Sequence, residues 1–168
     1  EFAEETDEPE TQPEDSGHWR VLIVDDDEAV FQVTKVALDD ATVDGKALEL
    51  IYANSGAEAR RLLSTYSDIA LVLLDVVMET NHEGLDVAQW IRRDLGNPFI
   101  RIVLRTGQPG LAPERRVVQD FDINDYKDKT ELTATKLYTL MVSNIRAYRD
   151  ITASEFDRLR ALNGKLES

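Results

Sequence analysis

The chain has 168 residues, 42% hydrophobic and 31% charged, which suits one domain of ordinary size with a real core and some extension at its ends. It holds no cysteine, which excludes a disulfide frame and a thiolate metal site, and no apolar run approaches the roughly 20 residues of a membrane span. The formal net charge of −14 is uneven: residues 1–17 carry Glu1, Glu4, Glu5, Asp7, Glu8, Glu10, Glu14 and Asp15 with no Lys or Arg, and the rest still holds about −6, which argues against direct nucleic-acid binding.

Residues 1–17 add Pro9, Pro13 and Gly17 to those acids and offer too little apolar surface to offset ordering entropy, so a disordered acidic tail is expected. The chain begins without Met and lacks a signal-peptide pattern, and it reads as a fragment of something longer. From Trp19 the pattern changes. Val21-Leu22-Ile23-Val24 is an aliphatic run of strand length stopped by Asp25-Asp26-Asp27, and residues 28–40 follow with Val30, Val33 and Ala37 at helical spacing. Asp44-Gly45 predicts a turn into a second strand, Ala47 to Ala53. Ser55 can cap a helix striped by Ala59, Leu62, Leu63 and Tyr66.

Ile69 to Leu74 predicts a third strand ending in Asp75. A loop to about Gly84 leads into a helix with Val87, Ala88, Ile91 and Leu95 on one face, closed by Gly96-Asn97-Pro98. Phe99 to Leu104 is the fourth strand, followed by Thr106-Gly107, a short helix over about 113–119, a weak fifth strand near Ile123–Tyr126 and a long helix from near Thr130. Five strand–helix alternations predict a doubly wound α/β fold: a five-stranded parallel sheet of flavodoxin type, covered on both faces, with an extended C-terminal helix. The domain built on that core is expected over 18–150. Beyond it, Met141, Ile145, Tyr148, Phe156, Leu159, Leu162 and Leu166 recur at spacings near three and four, which fits either a signalling coiled coil or a terminal helix on its own domain.

In an open parallel sheet, ligands sit outside the carboxyl ends of the strands. Asp25 and Asp26, Asp75, Thr106 and Lys127 stand at those ends in this reading. Converging carboxylates repel and need a proton or a cation. Oxygen ligands without Cys or clustered His point to Mg²⁺, which also binds phosphate oxygens. A carboxylate can itself be the nucleophile, giving an aspartyl phosphate, with Lys127 and Thr106 matching charge on the incoming group and Gly107 leaving room for it.

The segments VLIVDDDEAV, LVLLDVVMET with the later Gly84-Leu85, IVLRTG and DYKDK together resemble the receiver (CheY-like) domains of response regulators, over about residues 19–148. The resemblance implies Asp75 as phospho-acceptor, Asp26 as direct metal ligand with Asp25 acting through water, and the backbone carbonyl of Val77 completing the set around Mg²⁺. It makes Thr106 the switch hydroxyl and Lys127 the phosphate-pairing lysine, and leaves Asp27 to cap the following helix. It implies a phosphorelay switch that is not itself an enzyme, a sensor histidine kinase or phosphotransfer protein as donor, a downstream output domain joined through residues 151–168, a cytoplasmic location and a homodimer as one possible assembly. The chain departs from the family in three places: Glu79 stands where Pro is usual, Asp128 follows the lysine in place of Pro, and the aromatic position three before it falls on Asn124. RTGQPGLAPE and the run from Ile123 to Ile151 are similar to a subgroup whose output is an HD-type phosphohydrolase linked to cyclic dinucleotide breakdown. Two other readings compete: a haloacid dehalogenase-like phosphohydrolase with Asp25 as nucleophile, and an inactive scaffold that keeps the fold without the switch.

Overall fold

The computed structural model describes residues 17–78, 80, 82–107 and 114–166. The expected acidic tail lies outside the described residues except for Gly17, as do Glu79 and most of the loop before the short fourth helix. The elements run β1 (His18–Val24), α1 (Glu28–Ala37), β2 (Thr42–Val43), β3 (Lys46–Ala53), α2 (Gly56–Thr65), β4 (Ile69–Asp75), α3 (Glu83–Arg93), β5 (Arg101–Thr106), α4 (Glu114–Phe121), β6 (Asp125–Asp128) and α5 (Ala134–Leu166).

The sheet order is β2-β3-β1-β4-β5-β6. All pairs are parallel except β2 with β3. The expected doubly wound fold is therefore present with one correction: among the described residues the sheet has six strands, not five. The extra strand is a two-residue edge closed on β3 by Asp44 (φ 51°) and Gly45 (φ 78°), left-handed positions that the tight hairpin requires. Two residues are too few to leave a periodic signal.

Strand residues alternate between two apolar layers. Leu22, Val24, Val72, Leu74, Ile102 and Leu104 pack with Ala59, Leu63, Val87, Ala88 and Ile91 from α2 and α3. Val21, Ile23, Leu71, Leu73 and Val103 pack on the other face with Leu38, Leu137, Leu140, Met141 and Ile145. Burial on both faces explains why the strands read as unbroken aliphatic runs. On α1 the buried position is Thr34, whereas the expected stripe residue Val33 is 71% exposed. No helix among the described residues is long and apolar enough to cross a membrane.

Candidate functional site

Strand order reverses between β1 and β4, because β3 lies on one side of β1 and the later strands on the other. That reversal opens a crevice at the carboxyl ends of the two strands. Val24 pairs with Leu74, so Asp25 and Asp75 stand side by side one residue further on. Their carboxylate oxygens and that of Asp26 all lie within 4.8 Å of one another.

Asp25 is fully buried and its main chain is held from both sides: its N–H donates to the Ala53 carbonyl at 3.1 Å, and its own carbonyl accepts from the Tyr52 hydroxyl at 2.7 Å. Its Oδ1 accepts from the Asp27 N–H at 2.9 Å, while its Oδ2 has no hydrogen-bond donor. Asp26 is exposed at the rim. Asp27 caps α1, accepting from the Ala29 N–H at 3.0 Å, as the sequence implied.

Asp75 is 5% exposed and ends β4. Its Oδ1 accepts from the Val77 N–H at 3.3 Å and its Oδ2 from the Lys129 ammonium at 3.2 Å. The same ammonium lies 3.1 Å from Asp25 Oδ2, an ion pair off the line of a hydrogen bond. Burial, then the neighbouring Asp25 charge, pushes the Asp75 carboxyl up to about 6, against the pull of Lys129 and the Val77 N–H. Burial opposes the charge on Lys129, but the Asp75 and Asp25 carboxylates outweigh it and hold the ammonium above its ordinary value.

The neighbouring loops are shaped around this pair. Gly84, at the start of α3, bonds its N–H to the Val76 carbonyl at 3.1 Å, and a Cβ there would fall 1.9 Å from the Asp75 carbonyl oxygen. Only glycine lets α3 approach the acceptor strand so closely. A Cβ on Gly107 would only touch the Lys129 Cδ at 3.6 Å, so that glycine is not forced by the protein's own packing. Thr106 is fully buried at the end of β5, and its carbonyl accepts from the Lys129 N–H at 2.8 Å.

Here the lysine expectation needs correcting. Lys127 is level with Arg105, one residue short of the strand end, and pairs with Asp125 at 3.7 Å in a pocket lined by Lys136, Thr139 and Leu140 of α5. Lys129 reaches the acids instead, because β6 runs to Asp128 and the chain turns inward only after it. The position three before this lysine is then Tyr126, 7% exposed and packed in the core, not Asn124. Asn124 has a structural task, accepting from the Ile102 N–H at 2.7 Å and from Arg92 at 3.0 Å. Arg105 pairs in register with Asp75 and so shares its face of the sheet; it is 6% exposed, donates to Thr34 Oγ1 at 3.0 Å, and burial opposes the charge on its guanidinium, which the Asp25 and Asp75 charges favour.

Chemically, the crevice holds three carboxylates against the Lys129 ammonium, with the Arg105 guanidinium close enough to interact with Asp25 and Asp75. An all-oxygen set of this kind fits a hard divalent cation. Asp25 is fully buried with one oxygen engaged by the Asp27 N–H, and Asp75 is 5% exposed with both oxygens engaged, so burial alone does not choose between them as nucleophile.

Comparison with known proteins bears on the family and the fold. The family model of the response regulator receiver domain matches residues 21–139. The chain is 53% identical over 141 residues to the 3'3'-cGAMP-specific phosphodiesterase 2 of Vibrio cholerae serotype O1, covering 84% of this chain but only 27% of that protein. Among solved structures, a response regulator receiver domain protein from Clostridium thermocellum aligns with a TM-score of 0.66 at 22% identity, covering 79% of this chain and 98% of that one. A chain described as adenylate cyclase from Rhodopirellula baltica aligns with a TM-score of 0.70 at 22% identity, covering 85% and 98%.

Proposed function

The chain belongs to the response regulator receiver domain family, and from that premise we propose that Asp75 is its phospho-acceptor, with Asp25, Asp26, Asp75 and the Val77 carbonyl holding Mg²⁺. The observation that carries the reading is the bridging of Asp75 and Asp25 by the Lys129 ammonium, at 3.2 and 3.1 Å. An Asp75 oxygen forms the new bond to phosphorus while the bond from phosphorus to the donor's nitrogen or acyl oxygen breaks, its electron pair leaving with the donor. Lys129 pairs with one phosphoryl oxygen and Thr106 donates a hydrogen bond to a second. When bound, Mg²⁺ supplies neutralisation of the remaining oxygen. Because Asp75 titrates at about 6, most of it is ionised and nucleophilic at neutral pH. The phosphoryl group then draws Thr106 inward and repacks Tyr126, biasing the face formed by β5, α4 and β6 between two arrangements.

The donor is a sensor histidine kinase or phosphotransfer protein in the cytoplasm. Residues 18–150 would form the receiver, with 151–168 leading toward an output domain. The chain spans about a quarter of the Vibrio cholerae phosphodiesterase it resembles. That relative and the RTGQPGLAPE segment together support an HD-type output that breaks down a cyclic dinucleotide of the 3'3'-cGAMP class.

Incubation with acetyl phosphate and Mg²⁺, read by intact mass, tests the assignment. One hydroxylamine-labile phosphate is expected, absent in Asp75→Asn. Phosphate retained in that variant, or multiple-turnover release from phosphomonoesters, overturns it.

A further inference from the structure

Helix α5 changes character along its length. In its first half Leu137, Leu140, Met141, Asn144 and Ile145 are buried against the sheet. Arg146 and Arg149 then fasten the helix to Asp44 at the tip of the β2–β3 hairpin. Past Thr152 every described residue except Glu155 is exposed, and the hydrogen bonds of Arg158 go to Glu155 within the same helix. Yet this free half carries Phe156, Leu159, Leu162 and Leu166, between 45% and 84% exposed. It also contains Gly164, with nothing within 4 Å of its Cβ position. An apolar-striped helix of this length with an internal glycine is marginal alone in water.

Its spacing specifies what would cover the stripe. Thr152, Phe156, Leu159, Asn163 and Leu166 follow alternating steps of four and three, the seam of a heptad repeat, with Phe156 and Asn163 at a and Leu159 and Leu166 at d. Glu155 then falls at g and Arg160 at e. In a parallel pair each g residue faces the e residue five positions later on the other helix, so Glu155 meets Arg160 of a second copy, opposite charges on both sides of the seam. A single Asn at a sets register and favours two strands over three or four, because its amide is satisfied only by its own counterpart.

We propose that the free half of α5 forms a parallel, two-stranded coiled coil with a second copy of this chain. The occupant is argued from the charge complementarity of Glu155 with Arg160 and the position of Asn163, independently of the phosphorylation chemistry.

The native chain lacks cysteine, so single-cysteine variants report geometry cleanly. In sedimentation over a concentration series the 168-residue chain should approach twice 19.0 kDa, and Leu159→Lys should stay at 19.0 kDa with the receiver's melting temperature unchanged. Under mild oxidation Asn163→Cys, on the seam, should cross-link about tenfold or more faster than Ala161→Cys, which faces outward. Glu155→Arg and Arg160→Glu should each weaken self-association by about tenfold, while mixing the two variants restores it as a heterodimer. A chain that stays monomeric at every concentration, equal cross-linking at 161 and 163, or no rescue on mixing would overturn the proposal.

Discussion

Within β4, the run from Ile69 to Leu74 is apolar and at most 1% exposed, whereas the next residue, Asp75, is charged, 5% exposed and beside the fully buried Asp25. The same strand thus joins a packed interior to a C-terminal edge where two carboxylates share one ammonium. The interior is stabilised by burial of apolar surface. The edge carries an electrostatic penalty until a cation arrives, because like charges in a low-dielectric crevice repel. Stability and function are therefore separated by a single residue step, and substitutions on either side should act with opposite sign.

The largest effect is expected inside. Leu73 is 1% exposed and sits in the layer facing Met141 and Ile145. Leu73→Ala should cost about 2–5 kcal/mol of unfolding free energy in urea titration, with an unchanged m-value. A loss under about 1 kcal/mol would mean that this interior collapses around cavities and that the contrast with the edge is false.

Across the boundary, Asp75→Asn should stabilise the metal-free protein. The folded carboxyl at about 6 lies above its ordinary 3.8, so between those values the folded state holds a proton that the unfolded chain has lost. Stability therefore falls as pH rises through that window and stays reduced above it. The gap corresponds to a ceiling of about 3 kcal/mol at pH 8, vanishing below about pH 4. Thermal melts in a chelator measure it, and millimolar Mg²⁺ should narrow the difference by stabilising wild type. An Asn variant that melts lower at pH 8 would show that Asp75 is held by favourable contacts and not against repulsion.

The two lysines of β6 and its exit sharpen the contrast. Lys129→Met should slow phosphoryl uptake from acetyl phosphate by about tenfold or more, or about 1.4 kcal/mol, since two carboxylates then face the incoming anion without the ammonium that bridges them. Lys127→Met breaks only a half-exposed pair with Asp125 and should leave both uptake and stability within about 0.5 kcal/mol. The reverse outcome would return the site to Lys127.

These lysines also mark where the sequence stopped being readable. Asp25 and Asp75 could be located because each ends an aliphatic run buried on both faces, so composition itself marks the strand end, and Asp26 and Thr106 lie within two residues of such an end. β6 is four residues, Asp-Tyr-Lys-Asp, with Tyr126 alone buried, and a polar edge strand gives no such mark. Ending it two residues early moved the lysine to 127 and the aromatic to Asn124. On α1, burial of Thr34 in place of Val33 reflects the Arg105 hydrogen bond, a tertiary demand that periodicity does not carry. Tyr52, which holds the Asp25 carbonyl, was likewise legible only once β3 was seen beside β1.

The smallest effect distinguishes neighbours in a single acidic run. Asp26 and Asp27 are both exposed and adjacent, yet one belongs to the cation cluster and the other to the helix. Asp27 accepts the Ala29 N–H, one of the four donors that the start of α1 leaves unsatisfied, and its charge also complements the helix dipole. Asp27→Ala should lower stability by about 1 kcal/mol and leave Mg²⁺ affinity nearly intact. Asp26→Ala should do the converse, weakening Mg²⁺ binding, followed by titration calorimetry, while raising metal-free stability slightly through relief of repulsion at Asp25 and Asp75. If both variants lose stability alike and bind the cation alike, Asp26 is a second helix-end acid, and the C-terminal edge is no metal crevice.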